Sequence, residues 1–252
     1  MDARHVAAVV VSRREVSPDL WIVRVRPEEK VVFAPGQYAT VTLPGPERPI
    51  ERPYSIASSP GEAELEFFLE RLRGGHRSPH LYDVPVGGAV EVGRMAKGRF
   101  LFDQASGRRN HFMIATVTGV APFVSMSRDW AARHKRGEAV PYRIAVLHAA
   151  SMSREMGYGE ELSGLARRCA WFTYIPTVSR AWADADWTGE RGRAEDVTRK
   201  HLEGLGFTAA STTAYACGNP GMIENVKGVL ERAGFRNEAV MQEVFWVAGK
   251  KG

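Results

Sequence analysis

The feature that most constrains the fold is a change of pattern at FDQASGRRN, residues 102–110. Before this polar stretch, six short runs rich in valine, isoleucine and aromatic residues are separated by turns such as Pro60-Gly61 and Gly87-Gly88. Short strands at such spacing indicate an antiparallel barrel or sandwich. After it, strand-like runs alternate with segments of helical spacing, which favours a parallel sheet covered on both faces. We therefore predict two domains, at residues 1–103 and 110–252.

Composition narrows the function classes. The 252 residues carry a net charge of +5, which favours acidic partners such as phosphorylated cofactors, although a slightly basic solvated surface fits as well. No block of five basic residues occurs, so we expect no nucleic-acid tail. The two cysteines exclude a disulfide framework and a cluster held by four thiolates, and we expect no metal site. The N-terminal run is too short for a signal peptide or a membrane span, so we expect a cytoplasmic protein that binds no membrane.

Three segments follow predicted parallel strands, where open sheets bind ligands: TVTGVAPF, PTVSR and CGNPGM. Thr118 and Gly119 precede a helix, whose N-terminus attracts phosphate, or they form a plain tight turn. Arg180 and the nearby GERGR suit a phosphate monoester, or form a solvated loop. The glycines after Cys217 let a flat ligand approach the backbone, or Cys217 is an inert buried thiol.

The order of the motifs is more informative than each motif alone. R-P-Y-S, G-x-x-S, TGVAPF, PTVSR, CGNPGM and EVFW follow one another between residues 5 and 246, and in this order they resemble the ferredoxin–NADP reductase family. The resemblance implies a six-stranded antiparallel Greek-key β-barrel that holds FAD. It also implies a C-terminal α/β domain, with a five-stranded parallel sheet, that binds NADP(H).

The resemblance assigns flavin contacts to the barrel. Arg52 is expected to pair with the pyrophosphate, Tyr54 to pack on the isoalloxazine, and Ser55 to hydrogen-bond near flavin N5, where the hydride arrives. Further cofactor-binding positions are implied beside this motif, on a neighbouring strand and in a phosphate loop: Pro53, Phe68, Leu69, Glu70, Gly75, His76, Arg77 and Ser78.

The resemblance also assigns contacts to the nicotinamide nucleotide. Thr118 and Gly119 lie under its pyrophosphate, and the group that grips the 2′-phosphate is Ser179, Arg180 and Arg193. The catalytic end is formed by Ser55, Cys217, Glu243 and Phe245, with Gly218 and Trp246 beside them. Phe245 covers the flavin and moves aside during turnover. Two departures affect these assignments: Val117 begins a loop that usually starts with glycine, and Ser151 replaces an arginine of many bacterial members, with Arg154 three residues on.

The implied activity is hydride transfer from NADPH to flavin N5, followed by single-electron transfer to ferredoxin or flavodoxin. Both carriers are acidic, so the positive charge would steer them, and a monomer is expected. Three alternatives stay open: an NAD(P)H-dependent reductase that serves an oxygenase, an electron-transfer subunit of a larger complex, and a redox-inactive nucleotide-binding module.

Overall fold

The structure is a computed structural model that describes residues 4–45, 48–71 and 80–244. It divides the chain into two compact units. The first runs up to Phe102 and includes Ala121–Asp129, whereas the second contains Asp103–Val120 and Trp130–Trp246. No helix in the described ranges is long and apolar enough to span a membrane.

The first unit contains an antiparallel sheet of six strands. They are β1 (His5–Ser17), β2 (Leu20–Pro27), β3 (Tyr38–Leu43), β4 (Ile50–Ser55), β5 (Leu65–Glu70) and β6 (Ala89–Gly93), in the order β4-β3-β6-β1-β2-β5. The two outer strands meet just beyond β4, where Ile56 pairs with Phe67 and the Ala57 N–H donates to the Glu66 carbonyl at 2.8 Å. This pairing closes the sheet, and the predicted Greek-key barrel is confirmed.

Period-two alternation explains how the barrel forms. Side chains on a strand point alternately to opposite faces, so every second residue faces the interior. On β2 and β5, the residues Val23, Val25, Leu65, Phe67 and Leu69 follow this spacing and are at most 3% exposed. They form one apolar cluster with the buried residues of the other strands, so the barrel interior is filled by side chains.

The second unit contains a parallel sheet flanked by helices. Its strands are β7 (Asn110–Thr116), β8 (Arg143–Ala150), β9 (Phe172–Val178), β10 (Glu190–Arg191), β11 (Thr212–Gly218) and β12 (Val240–Val244). The helices α2 (Gly159–Arg168), α3 (Ala194–Leu205) and α4 (Pro220–Arg232) lie in this unit, whereas α1 (Ala121–Lys135) belongs to it only from Trp130 onward. The α/β prediction is confirmed, but the predicted count of five strands is wrong. The sixth, β10, has only two residues, too few to show a period, and it pairs with the end of β9.

The strand order fixes where a ligand can bind in this unit. The order is β10-β9-β8-β7-β11-β12, so the chain leaves β7 on one side through β8 and returns to its other side at β11. Ligands of open α/β sheets bind beyond the carboxyl ends of strands at such a reversal. The segments that follow β7 and β11 are therefore neighbours at the expected position.

Candidate functional site

In the first unit, β4 presents Arg52 and Tyr54 two residues apart, so both lie on one face of the strand. The register places Arg52 opposite Val41 and Tyr54 opposite Ala39 on β3. The Tyr54 ring packs against Phe67 with a centroid distance of 5.8 Å, and the intervening Pro53 is exposed. The barrel thus fixes the backbone from which the two predicted flavin contacts project.

The guanidinium of Arg52 is the observation that best tests whether FAD fits. Its Nε atom is buried and has no hydrogen-bond partner within the described part of the chain. A buried, charged donor without an acceptor is costly, so such a group calls for an anion. A pyrophosphate supplies acceptor oxygens of the right charge. The residues present therefore fit FAD.

Tyr54 is held as a neutral phenol. Burial raises the pKa of Tyr54 to about 12, and this effect outweighs the opposing hydrogen bond from the Leu81 N–H and the nearby Arg52 charge. The hydroxyl is therefore protonated at neutral pH. Together with its ring, it offers an apolar face and a polar end, which suits packing against a flat, substituted ring system.

An aromatic stack follows the segment that carries the predicted phosphate loop. The His80 ring lies 4.9 Å from Tyr82, which in turn lies 4.9 Å from Trp21. Burial, and then the charge of Arg52, lower the pKa of His80.

The predicted contacts in the phosphate loop lie outside the described residues: Gly75, His76, Arg77 and Ser78.

The other barrel predictions occupy different environments. Ser55 is buried at the end of β4, opposite Tyr38. On β5, Leu69 belongs to the barrel core and pairs with Trp21, whereas Phe68 is buried on the opposite face and Glu70 is exposed. The strand therefore brings only part of this predicted set to any one face.

The buried segment after β4 is fixed by hydrogen bonds. The Ser58 carbonyl accepts a bond of 2.7 Å from the Ser125 hydroxyl, and the Ser58 hydroxyl accepts one of 3.1 Å from the Glu66 N–H. Glu66 also pairs with Arg128, whose guanidinium donates to the Ala57 carbonyl at 3.2 Å. These contacts hold the backbone that continues from Ser55.

In the second unit, β7 ends in a single 3₁₀ turn, Val117–Val120, before α1 begins. A Cβ atom on Gly119 would lie 2.3 Å from the Cys217 carbonyl oxygen, so only glycine fits there. Thr118 is buried in the same turn. The turn therefore rests directly on the end of β11, as the strand order requires.

A second glycine completes this contact from the side of β11. Gly218 has a φ of 127°, and a Cβ atom there would lie 2.3 Å from the Thr116 hydroxyl oxygen. The same hydroxyl accepts a bond of 2.9 Å from the Asn219 N–H, and the Asn219 side chain caps α4. Thr116 begins the segment TVTGVAPF, but no sequence pattern marks its contacts with residues about a hundred positions away. Gly119 and Gly218 together let the turn after β7 and the end of β11 pack in close backbone contact, which we call the glycine notch.

Cys217 and Glu243 lie next to this notch. They are direct neighbours in the parallel pairing of β11 and β12. Cys217 is fully buried, and burial, followed by the charge of Glu243, raises the pKa of its thiol well above the usual value. Cys217 is thus a neutral thiol. The structure brings Cys217, Gly218 and Glu243 together, while Phe245 and Trp246 lie outside the described residues.

Arginines surround the carboxyl end of β9. The Ser179 and Arg180 N–H groups donate to the carbonyls of Ala150 and Ser151, at 3.0 and 3.1 Å. Arg191 lies on β10 opposite Val178. Four arginines in this region have exposed side chains: Arg154, Arg180, Arg191 and Arg193. None of them forms an ion pair with any residue that the structure describes. We call these four residues the arginine group.

Two further side chains near this edge were missed by sequence analysis. His148 is fully buried on β8, and its Nε2 atom lies 2.9 Å from the Val117 carbonyl oxygen. Trp182, two residues after Arg180, is 81% exposed. A lone histidine near the end of the apolar run RIAVLHAA is the only sequence signal for the first. Within the described ranges, no group of three or more potential ligands is placed to hold a metal ion.

Comparison with known proteins identifies both units. Residues 7–102 match the family model described as an oxidoreductase FAD-binding domain, and residues 113–228 match an oxidoreductase NAD-binding domain. The fold and the site thus define an oxidoreductase that binds a flavin and a nicotinamide nucleotide, one in each unit.

Related chains place the protein more closely. It is 27% identical over 224 residues to ferredoxin–NADP reductase of Pseudomonas aeruginosa, covering 84% of this chain and 83% of that protein. It is 30% identical over 254 residues to a Ralstonia ferredoxin–NAD(P)(+) reductase component of naphthalene 1,2-dioxygenase/salicylate 5-hydroxylase systems, covering 98% of this chain and 71% of that one.

A solved structure shares the fold. The ferredoxin NADP+ reductase of Neisseria gonorrhoeae with bound FAD and NADP superposes with a TM-score of 0.84 at 22% identity, covering 97% of this chain and all of that one. The chain belongs to the ferredoxin–NADP reductase superfamily, as the resemblance in its motifs predicts.

Proposed function

We propose that the chain is an FAD-dependent ferredoxin–NADP reductase, which moves electrons between NADPH and an acidic carrier, ferredoxin or flavodoxin. The observation that supports this most directly is the arginine group at the carboxyl end of β9. NADPH differs from NADH by a 2′-phosphate, and exposed guanidinium forks without acidic partners suit that group. Arg180 and Arg193, with the Ser179 hydroxyl beside them, would bind it.

In this proposal the first unit holds the flavin. Arg52 binds the pyrophosphate, since its buried Nε atom lacks an acceptor in the described structure. Tyr54 packs on the isoalloxazine, and Ser55 hydrogen-bonds to its reactive edge. Bound FAD supplies the redox chemistry, since a flavin accepts two electrons together and releases them one at a time.

The second unit holds the nicotinamide nucleotide. Thr118 and Gly119 support the pyrophosphate at the start of α1, where N–H groups and the helix dipole favour negative charge. Cys217 and Glu243 border the nicotinamide ring. Because the Cys217 thiol stays neutral, it adds no charge beside that ring.

The proposed electron acceptor is a separate protein. The net charge of +5 favours encounter with an acidic carrier. We propose that the reductase acts as a monomer, which size-exclusion chromatography with light scattering would check.

Steady-state kinetics test the proposal. The FAD-loaded protein is assayed for ferredoxin reduction with NADPH and with NADH, and for ferricyanide reduction as a carrier-independent control. We expect kcat/KM to favour NADPH by about tenfold or more, the effect of one charge-assisted contact. A tenfold preference for NADH would contradict the assignment of the arginine group.

A second function has specific support: a reductase component that delivers electrons from NAD(P)H to an oxygenase system. Ser151 stands where the resemblance places a further phosphate-binding arginine, and the Ralstonia relative is such a component. This function predicts similar kcat/KM for the two nucleotides. It also predicts faster reduction of an oxygenase-system ferredoxin than of flavodoxin in the same assay.

A further inference from the structure

Val117 has an unusual backbone conformation for its residue type. Its φ is 44°, and it is the only residue other than glycine with a positive φ in the ranges that the structure describes. The left-handed region is sterically disfavoured for residues with a Cβ atom, most of all for β-branched ones. Such a conformation persists only where surrounding contacts hold it in place. A contact with the surrounding structure must therefore hold Val117 in this conformation.

The contact comes from a fully buried histidine. His148 lies on β8 next to Ala115 of β7, and its Nε2 atom is 2.9 Å from the Val117 carbonyl oxygen. Its Nδ1 atom is 3.0 Å from the Tyr174 hydroxyl. A carbonyl can only accept, so Nε2 must carry the proton, and Nδ1 must then accept from Tyr174.

The environment keeps this arrangement fixed. Burial lowers the pKa of His148 to about 4 and raises that of Tyr174, so both groups are neutral near neutral pH. Each ring nitrogen of His148 has one partner, and a fully satisfied buried network has a single favoured arrangement. The hydrogen bond to Val117 is therefore directional and persistent.

The peptide bond transmits this constraint to the next residue. The bond between Val117 and Thr118 is planar and trans, so its N–H points opposite to its C=O. Because the Val117 carbonyl points to His148, the Thr118 N–H must point away from it. Gly119, seated against Cys217, fixes the other end of the same turn.

We propose that His148 is a positioning residue for the nicotinamide nucleotide: it holds Val117 in the left-handed conformation and so directs the Thr118 N–H toward the pyrophosphate. This inference rests on the proposed function, which assigns the Val117–Val120 turn to that nucleotide. His148 acts through the backbone and does not contact the ligand.

A double-mutant cycle tests the inference with NADP+ as the probe, titrated into the FAD-loaded protein. His148→Phe removes the donor, and we expect the Kd for NADP+ to rise about tenfold. Val117→Gly removes the steric cost of the left-handed conformation. In its presence, His148→Phe should raise the Kd by no more than about threefold. His148→Gln keeps an N–H near the same position and should restore most of the affinity that His148→Phe loses.

His111 provides a matched control. It is also fully buried, and its Nδ1 atom lies 2.9 Å from the Tyr215 hydroxyl, but it lies near the start of β7, away from the turn. His111→Phe should lower the melting temperature and leave the Kd for NADP+ unchanged. Equal loss of affinity in the two phenylalanine variants would overturn the positioning role, since it would show a general effect of weakened packing.

Two further outcomes decide the matter. An unchanged Kd in His148→Phe, or a loss that Val117→Gly does not reduce, contradicts the inference. If His148→Phe does not fold, His148→Met replaces it, because its flexible side chain also lacks an N–H donor for the Val117 carbonyl. An unchanged Kd there also contradicts the inference. Failure of the wild-type protein to bind NADP+ would instead contradict the proposed function.

Discussion

The two units present their candidate nucleotide-binding groups in different ways. In the barrel, Arg52 and Tyr54 are side chains on a strand whose position is set by its neighbours. In the parallel sheet, the close contacts are made by backbone: Gly119 and Gly218 pack where no Cβ atom fits. A substitution in the barrel site therefore removes one contact. A substitution in the glycine notch displaces a strand end.

The units also differ in buried ionisable groups, and this difference predicts the largest effect. His111 and His148 are fully buried in the second unit, and burial lowers the pKa of each to about 4. The unfolded value is near 6.5, so between these pH values the unfolded chain binds more protons. The contribution of these two histidines to the free energy of unfolding is constant above about pH 6.5. It falls as the pH falls toward 4, by about 3 kcal/mol for each histidine.

We therefore expect acid to unfold the parallel sheet before the barrel. Hydrogen exchange measured by mass spectrometry between pH 7 and pH 4 resolves the two units. Protection of β7 and β8 should decrease at a higher pH than protection of β1 and β3. The described histidines of the barrel, His5 and His80, are only partly buried, so they should give a smaller effect. Loss of protection in the barrel first would contradict this account.

The second prediction concerns the glycine notch. Gly119→Ala places a methyl group 2.3 Å from a backbone oxygen, which cannot move aside as a side chain can. We expect a loss of about 3 kcal/mol in the free energy of unfolding, measured with urea, and weaker binding of NADP+.

Gly204→Ala is the matched control for that substitution. Gly204 lies in α3 with nothing within 4 Å of its missing Cβ atom. Alanine should stabilise the helix there by up to about 1 kcal/mol and leave nucleotide binding unchanged. Similar losses in both variants would show that the close approach to Cys217 is not what requires glycine.

Sequence patterns predicted some of these features and missed others for physical reasons. Alternation and helical spacing repeat over many residues, so the barrel and the order of the α/β elements could be predicted, whereas the two-residue β10 could not. The positions of Thr118 and Arg180 follow from the rule that ligands bind at strand ends. The bond between His148 and Val117 joins residues 31 positions apart, and no local pattern marks such a pair. The left-handed φ of Val117 could not be predicted for the same reason, because it depends on that long-range contact.

The third prediction tests the side-chain character of the barrel site. Arg52→Ala removes a charge-assisted contact of about 1.5–3 kcal/mol, so FAD should bind about 10- to 150-fold more weakly. The flavin content of the purified protein and a fluorescence titration with FAD measure this. The unfolding midpoint of the FAD-free protein should change little. In the wild type the Arg52 Nε atom is buried without an acceptor, so its removal breaks no hydrogen bond of that atom.

Arg94→Ala is the control for Arg52→Ala. Arg94 is an exposed barrel residue that pairs with Glu29. An exposed ion pair contributes little, so flavin content should equal that of the wild type. If both variants lose FAD alike, net charge and not the position of Arg52 determines flavin binding.

The prediction with the smallest expected effect separates the contribution of a side chain to nucleotide binding from that of the backbone within the second unit. Arg193→Ala should lower kcat/KM for NADPH about tenfold and leave that for NADH within about twofold, because only NADPH carries the 2′-phosphate. The control is Arg199→Ala on α3, whose guanidinium pairs with Glu203 at 2.8 Å. It removes the same charge nearby and should leave both nucleotides unaffected. Equal losses for NADPH and NADH in Arg193→Ala would mean that this arginine supports the notch as a whole. Arg193 would then not act as a separate side chain that binds the 2′-phosphate, independent of the backbone contacts in the glycine notch.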